Sequence, residues 1–163
     1  MISGSFMEKI IQGALDKEVF RAFTVPDDSD KVQFLLHAYG EMLHRHSPQK
    51  IEEEGRIPEE MLQEFGRKGF FGISVDETYG GMGVDLINTI RFVEKISALD
   101  MSIALVFLAH LFIGIKGIEL FGTDQQKHQY LPPAASGEMI FSYALTEPDF
   151  GSDARHIKTK AEL

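Results

Sequence analysis

The 163-residue sequence contains no cysteine, which excludes disulfide scaffolds, thiolate nucleophiles, iron-sulfur clusters and cysteine-ligated zinc together. It leaves the compartment open, with cytosol the plainer reading. Basic side chains are scarce too: 16 Lys and Arg face 25 Asp and Glu, a formal net charge of -9. That balance opposes the counterion release on which nucleic-acid binding depends, and argues against such a partner. Long apolar runs are also lacking. The longest, Ile103 to Ile115, is broken by His110 and Gly114 and falls short of the roughly 17–25 residues of a bilayer span, so a buried core helix is expected. Met1 to Ile11 places Glu8 beside Lys9 and has no sustained apolar stretch, so no signal peptide is expected there. What is present, 44% hydrophobic residues, suffices for one domain with a single core.

Helical periodicity dominates the first two-thirds. A weak amphipathic segment runs from Phe6 to Phe20, with Ile10, Ile11, Leu15 and Val19 on one face. Val32, Leu35, Leu36, Tyr39 and Leu43 then recur at helical spacing, with Ser29 or Asp30 available as N-cap and a stop before Pro48. Pro58, Glu59 and Glu60 open a further helix whose buried stripe is Met61, Leu62 and Phe65, and Gly69 ends it. The loop Gly80-Gly-Met-Gly83 lacks both the Walker spacing and the dinucleotide fingerprint, so a tight turn is preferred over a phosphate cradle. Asp85 caps a helix carrying Leu86, Ile90, Val93 and Ser97, and Asp100 or Ser102 caps the apolar helix after it. That helix is apolar nearly all round and is expected to be central. Thr123 and Gln126 form a capping-box pattern, for a short helix ending at Pro132-Pro133.

From Met139 the period becomes two: Phe141, Tyr143 and Leu145 alternate with Ile140, Ser142, Ala144 and Thr146, as in a strand with unlike faces. Pro148, Gly151 and Ser152 make a turn, and His156 to Leu163 reads as a second strand. Two strands alone are marginal and leave an open edge, so further sheet partners are expected. His44 and His46 point apart on a helix, and Glu52 to Glu54 form a solvated acidic run, so no metal site is proposed.

The segment Tyr143-Ala-Leu-Thr-Glu-Pro-Asp-Phe-Gly-Ser-Asp153 resembles the flavin-binding signature of the acyl-CoA dehydrogenases. Phe121-Gly-Thr-Asp-Gln-Gln-Lys127, Tyr130-Leu-Pro132 and Ala135-Ser-Gly-Glu138 precede it in that family's order and spacing, and Gly80 to Gly83 and Pro58 to Gly69 are similar to its upstream loop and helix. Ala109-His110, Ile113-Gly114 and Lys116-Gly-Ile118, with Phe6 to Phe20, look most like the very-long-chain branch. The resemblance implies a mainly α fold: an N-terminal extension over 1–31, the family's helical N-terminal domain over 32–137, and the first strands of a truncated middle β-domain over 138–163. It implies FAD as cofactor, a fatty acyl-CoA substrate undergoing α,β-dehydrogenation, electron-transfer flavoprotein as acceptor and a homo-oligomer, dimer or tetramer, at full length. The family is bacterial-cytoplasmic or mitochondrial-matrix, not secreted. Its catalytic base lies in a C-terminal bundle, so none is expected within these residues.

Residue by residue, the resemblance places Tyr143, Leu145 and Thr146 beside the flavin ring, which needs an apolar wall and donors that stabilise its reduced anion, and counts Ala144 among the cofactor-binding residues. It assigns Gly151 and Ser152 to the pyrophosphate, with Ser152 also meeting the CoA-bearing end of the substrate. Asp149 and Phe150 depart from the small residues common there. Glu147 is expected to support the loop rather than the chemistry, and His110 to be a core or groove residue. The competing class is a non-catalytic helical module, derived from the same fold, that binds a partner or acyl-CoA.

Overall fold

The computed structural model describes residues 11, 13 and 29–162; the amphipathic segment Phe6 to Phe20 otherwise lies outside the described residues, as does Leu163. Seven α-helices lie wholly within the described residues from 29 on: α1 (Asp30–Arg45), α2 (Pro48–Glu54), α3 (Glu59–Lys68), α4 (Leu86–Leu99), α5 (Met101–Leu108), α6 (Lys116–Phe121) and α7 (Asp124–Ala135). A π-helical segment, Ala109–Gly114, joins α5 to α6.

Local chemistry sets these boundaries. The Ser29 hydroxyl accepts from the Val32 N–H at the start of α1, and Asp85 does the same for Asn88 at the start of α4. Asp100 ends α4 and begins α5, where its Oδ1 accepts from the Ile103 N–H at 3.0 Å. At α7, Thr123 and Gln126 complete a reciprocal capping box. Each such cap satisfies donors that the helix cannot reach itself, worth about 1 kcal/mol.

The loop between α3 and α4 is a turn, and its backbone shows why it cannot cradle an anion. Gly81 N–H donates to the Asp76 carbonyl, Met82 to Gly72, Gly83 to Val75 and Val84 to Ile73, so the donors a phosphate would need are already engaged. Gly81 belongs there because a Cβ would lie 2.0 Å from the Val75 carbonyl oxygen. Lys31, reaching across from α1, donates to the Met82 carbonyl and to Glu77.

The core is aromatic. Tyr39, Phe65, Phe70, Phe71, Phe92 and Phe107 are fully buried. The ring of Phe107 lies 5.0 Å from Phe65, 5.5 Å from Phe70, 5.3 Å from Phe71 and 6.4 Å from Phe92. The run Met101–Phe121 is one 21-residue helix, long and apolar enough by length and composition to cross a membrane. Ile103, Ala104, Phe107, His110, Leu111 and Ile115 nevertheless seat one face of it in the core.

Three expectations need correction. The central helix is not enclosed on all sides, since Leu105, Ile113, Leu120 and Phe121 are exposed; its apolar outer face has no partner among the described residues. Helix α7 does not end at the proline pair: Pro132 and Pro133 lie inside it. The lost N–H donors are tolerated because Leu131, Ala134 and Ala135 bury that last turn in the core. The two strands over Met139 to Thr146 and His156 to Leu163 are not formed among the described residues. The first is extended without a ladder, and the second begins as a 3-10 turn, Ala154–His156. A strand is defined by its pairing, and neither segment meets a partner. The mainly helical class stands.

Two glycines in α-helices carry opposite expectations. Gly40 has open space where a Cβ would go, whereas a Cβ on Gly66 would lie 2.4 Å from the Ser136 carbonyl oxygen. Gly40→Ala should therefore raise stability by about 0.5–1 kcal/mol through helix propensity. Gly66→Ala should lower it by about 1–3 kcal/mol by prising α7 off α3. Urea denaturation of both variants checks the pair, and equal shifts would contradict the close approach.

Candidate functional site

The end of α7 fixes where the segment beyond it starts. Gly66 packs on Ser136, Gly72 has Ala135 where its Cβ would be, and Gly137, at a φ of 76° that suits glycine, lies against the Phe71 ring. Any side chain at these three positions would push the chain end outward. Four residues past Gly137 the chain is held again: the Phe141 N–H donates to His110 Nδ1 at 3.0 Å. The Phe141 ring is half-buried and sits 6.2 Å from the His110 ring and 6.4 Å from Tyr130.

His110 is fully buried. Burial pushes its pKa below the ordinary value, and the nearby backbone of Ala134 and Phe71 offsets this only in part. Because Nδ1 accepts from Phe141, the ring is the neutral tautomer with its proton on Nε2, an assignment that follows from the hydrogen bond. Nε2 itself is buried without a hydrogen bond of good geometry.

Beyond this anchor the chain runs extended. Tyr143, Ala144 and Thr146 are exposed and Leu145 is half-buried. Among the described residues, the backbone of 142–146 makes no hydrogen bond, so a row of N–H and C=O groups stands free beside side chains that mix apolar bulk with a hydroxyl. The next turn folds back on it. Glu147 and Phe150 exchange two backbone hydrogen bonds of 3.0 and 3.2 Å, and the missing Cβ of Gly151 would lie 3.9 Å from Thr146 Cγ2. Gly151 is thus brought back over Thr146. Ser152 follows it, exposed.

Glu147 ties the far side of this loop. Its carboxylate accepts from the Lys158 N–H at 2.8 Å, the Thr159 N–H at 2.7 Å and the Thr159 hydroxyl. These bonds, the Thr159 hydroxyl first, hold its pKa below the usual carboxylate range. A carboxylate with this many donors is a poor proton acceptor for a substrate, which accords with a supporting role. Asp149 and Phe150, which depart from the family pattern, both meet Lys158: an ion pair at 3.5 Å and a cation-π contact at 5.0 Å.

The structure therefore brings Thr146 and Gly151 together, with Tyr143 to Leu145 leading in and Ser152 leading out. His46 Nδ1 lies 3.8 Å from Glu60 Oε1, and no group of three potential metal ligands occurs among the described residues. Sequence reasoning passed over His110 and Gly114 as part of this site. A titratable residue four positions before a glycine, inside an otherwise apolar run, was the signal available.

Residues 34–138 match the model of the acyl-CoA dehydrogenase N-terminal domain. The chain belongs to the acyl-CoA dehydrogenase family. The very long-chain specific acyl-CoA dehydrogenase of Bos taurus mitochondria is 35% identical over 98% of this chain and 25% of its own length. A probable acyl-CoA dehydrogenase of Bacillus subtilis is 47% identical over 63% of the chain and 17% of its own length. Among solved structures, an acyl-CoA dehydrogenase complexed with FAD from Bacillus anthracis superimposes with a TM-score of 0.69 at 34% identity, over 83% of this chain and 24% of that one. The chain thus spans about a quarter of the length of the bovine acyl-CoA dehydrogenase.

The buried histidine gives this member of the family a pH dependence of predictable sign. A folded-state pKa below the unfolded value near 6.5 means the unfolded chain binds the proton first. The stabilisation is fully present above about pH 6.5 and is lost as pH falls toward the folded value. Stability should thus decline as pH falls below about 6.5, above the window in which the lowered carboxylates titrate. Urea midpoints across that range should show the slope, and His110→Asn should flatten it; an unchanged slope would assign it elsewhere.

Proposed function

We propose that this chain supplies the N-terminal helical domain, over 32–137, and the opening of the middle domain, over 138–163, of an FAD-dependent acyl-CoA dehydrogenase, with 1–31 as an N-terminal extension. The observation that carries this reading is the extended segment 142–146, whose backbone is free and whose end is closed by Gly151. The rim of a flavin ring is a row of donors and acceptors, and such a segment meets it without breaking any bond already made. When bound, FAD would supply the acceptor for the hydride lost from the β-carbon of an acyl-CoA thioester.

The chain's own residues divide the work. Tyr143 and Leu145 would shield the ring from water, Ala144 would add a cofactor contact, and the Thr146 hydroxyl would donate toward the ring and stabilise negative charge there. Gly151 and Ser152, small and exposed, let the backbone approach the pyrophosphate, and the Ser152 hydroxyl turns to the CoA end of the substrate. No residue here is assigned to proton abstraction. The likeness to the bovine very long-chain specific acyl-CoA dehydrogenase supports a fatty acyl-CoA substrate; electron-transfer flavoprotein as acceptor and a homo-oligomer as the working form belong to the same proposal.

With a single wall of the pocket, the 163-residue chain should bind FAD weakly. Titration of the isotope-labelled chain, followed by NMR, should shift the amides of 143–146, 151 and 152 and leave the aromatic core untouched. Shifts scattered over the helices, or none, would overturn the reading and favour the non-catalytic module. In a chimera with the remainder of the Bacillus anthracis enzyme, Thr146→Val should lower flavin content and slow flavin reduction about tenfold or more. Ser152→Ala should instead raise the acyl-CoA concentration needed, with reduction at saturation preserved. Identical phenotypes would refute this division of roles.

A further inference from the structure

The π-helical segment Ala109–Gly114 places two residues against the backbone of one, Phe141, which lies 31 positions beyond His110. His110 Nδ1 accepts the Phe141 N–H at 3.0 Å. Gly114, four residues on, packs so closely on Phe141 that a Cβ would lie 2.6 Å from its carbonyl oxygen and 2.8 Å from its carbonyl carbon. One residue grips the amide and the other leaves room for the carbonyl. We propose that His110 and Gly114 form a latch on Phe141, one at its N–H and the other at its C=O, that sets the position of residues 142–146, so that both act as positioning residues for the segment assigned to the flavin.

Three observations support the latch. Phe141 is the last anchored residue before the free segment: its ring packs on the His110 and Tyr130 rings, and 142–146 make no hydrogen bond among the described residues. His110 is buried, so water does not compete for Nδ1. The π geometry adds a residue to one helical turn, and such insertions concentrate where a side chain must be re-aimed. In an unbroken α-helix, residues four apart stand one above the other along the axis. Here the widened turn sets His110 and Gly114 against the two backbone groups of one residue.

The latch's purpose rests on the flavin reading, but its geometry does not, and the test keeps them apart. In the full 163-residue chain without flavin, the Phe141 amide should be protected from hydrogen exchange, and His110 nitrogen shifts should report an unprotonated Nδ1 and a protonated Nε2. His110→Leu removes the acceptor and should speed Phe141 exchange roughly tenfold and raise the mobility of 142–146, while Phe107 and Leu111 amides stay protected. His110→Asn, whose amide oxygen can replace Nδ1, should restore much of the protection. Gly114→Ala should release the same segment although alanine is the better helix former. Unchanged Phe141 exchange in both His110→Leu and Gly114→Ala, or equal losses at Phe107 and Leu111, would overturn the latch. Should His110→Leu fail to fold, Gly114→Ala and His110→Asn decide it. A failed flavin titration with intact Phe141 protection would sink the flavin reading and leave the latch standing.

Discussion

Edge and tilted contacts around the Phe107 ring hold this domain together. Phe65 comes from α3, Phe70 and Phe71 from the turn after it, Phe92 from α4 and Phe107 from α5, so four pieces of chain meet at one ring. Aromatic pairs at such distances add about 0.5–1.5 kcal/mol each beyond the area they bury. Their preferred geometry also fixes orientation. With Phe107 placed, the helix carrying it has one rotation about its axis, and that rotation turns His110 and Leu111 inward.

From the ring outward, order passes to the loop residues by close approach. Phe71 touches both Phe107 and His110, and its edge fills the space where Gly137 would otherwise carry a side chain. The chain leaving α7 is thus positioned by the core before any site residue is reached. Beyond Phe141 hydrophobic support stops and hydrogen bonding takes over, through the Glu147 carboxylate and its donors at Lys158 and Thr159. A rigid base carrying an open polar loop is the arrangement expected of a surface built to receive something larger.

How much of this the sequence disclosed depended on how local the cause was. Ser29, Asp85, Asp100 and the Thr123–Gln126 box act within one turn of chain, and their helices begin where the residues indicate. The exchange from helical to extended backbone after Met139 was also legible in the alternation of residue types. Pairing was not, because a period of two reports which side chains could share a face and nothing about the presence of a neighbouring strand. Pro132 and Pro133 misled for a related reason: local propensity marks a stop there, while burial of Leu131, Ala134 and Ala135 carries the helix through. The shared hold of His110 and Gly114 on Phe141 spans 31 positions, and no window of local pattern reaches that far. Within the loop, the motif that resembled a family signature could name Thr146 and Gly151, but their proximity came only from the folded turn.

The widened turn at Ala109–Gly114 also bears on how such a chain tolerates change in length. A π turn is an α-helix with one residue inserted, and each residue advances an α-helix by about 100° around its axis. Loss of a single residue from this stretch would let the backbone close into ordinary helix with α6 still facing as it does, whereas loss of one from the regular helix beside it would swing every position downstream in α6 round by that angle. Lys116, now joined to Glu119, and the exposed Leu120 and Phe121 would then face other directions. A one-codon deletion in the regular helix would thus rewrite an entire helical surface, and the same deletion within the widened turn would not. The stretch is therefore a place where the helix absorbs a change of length, while the identities of His110 and Gly114 stay constrained by their contacts with Phe141.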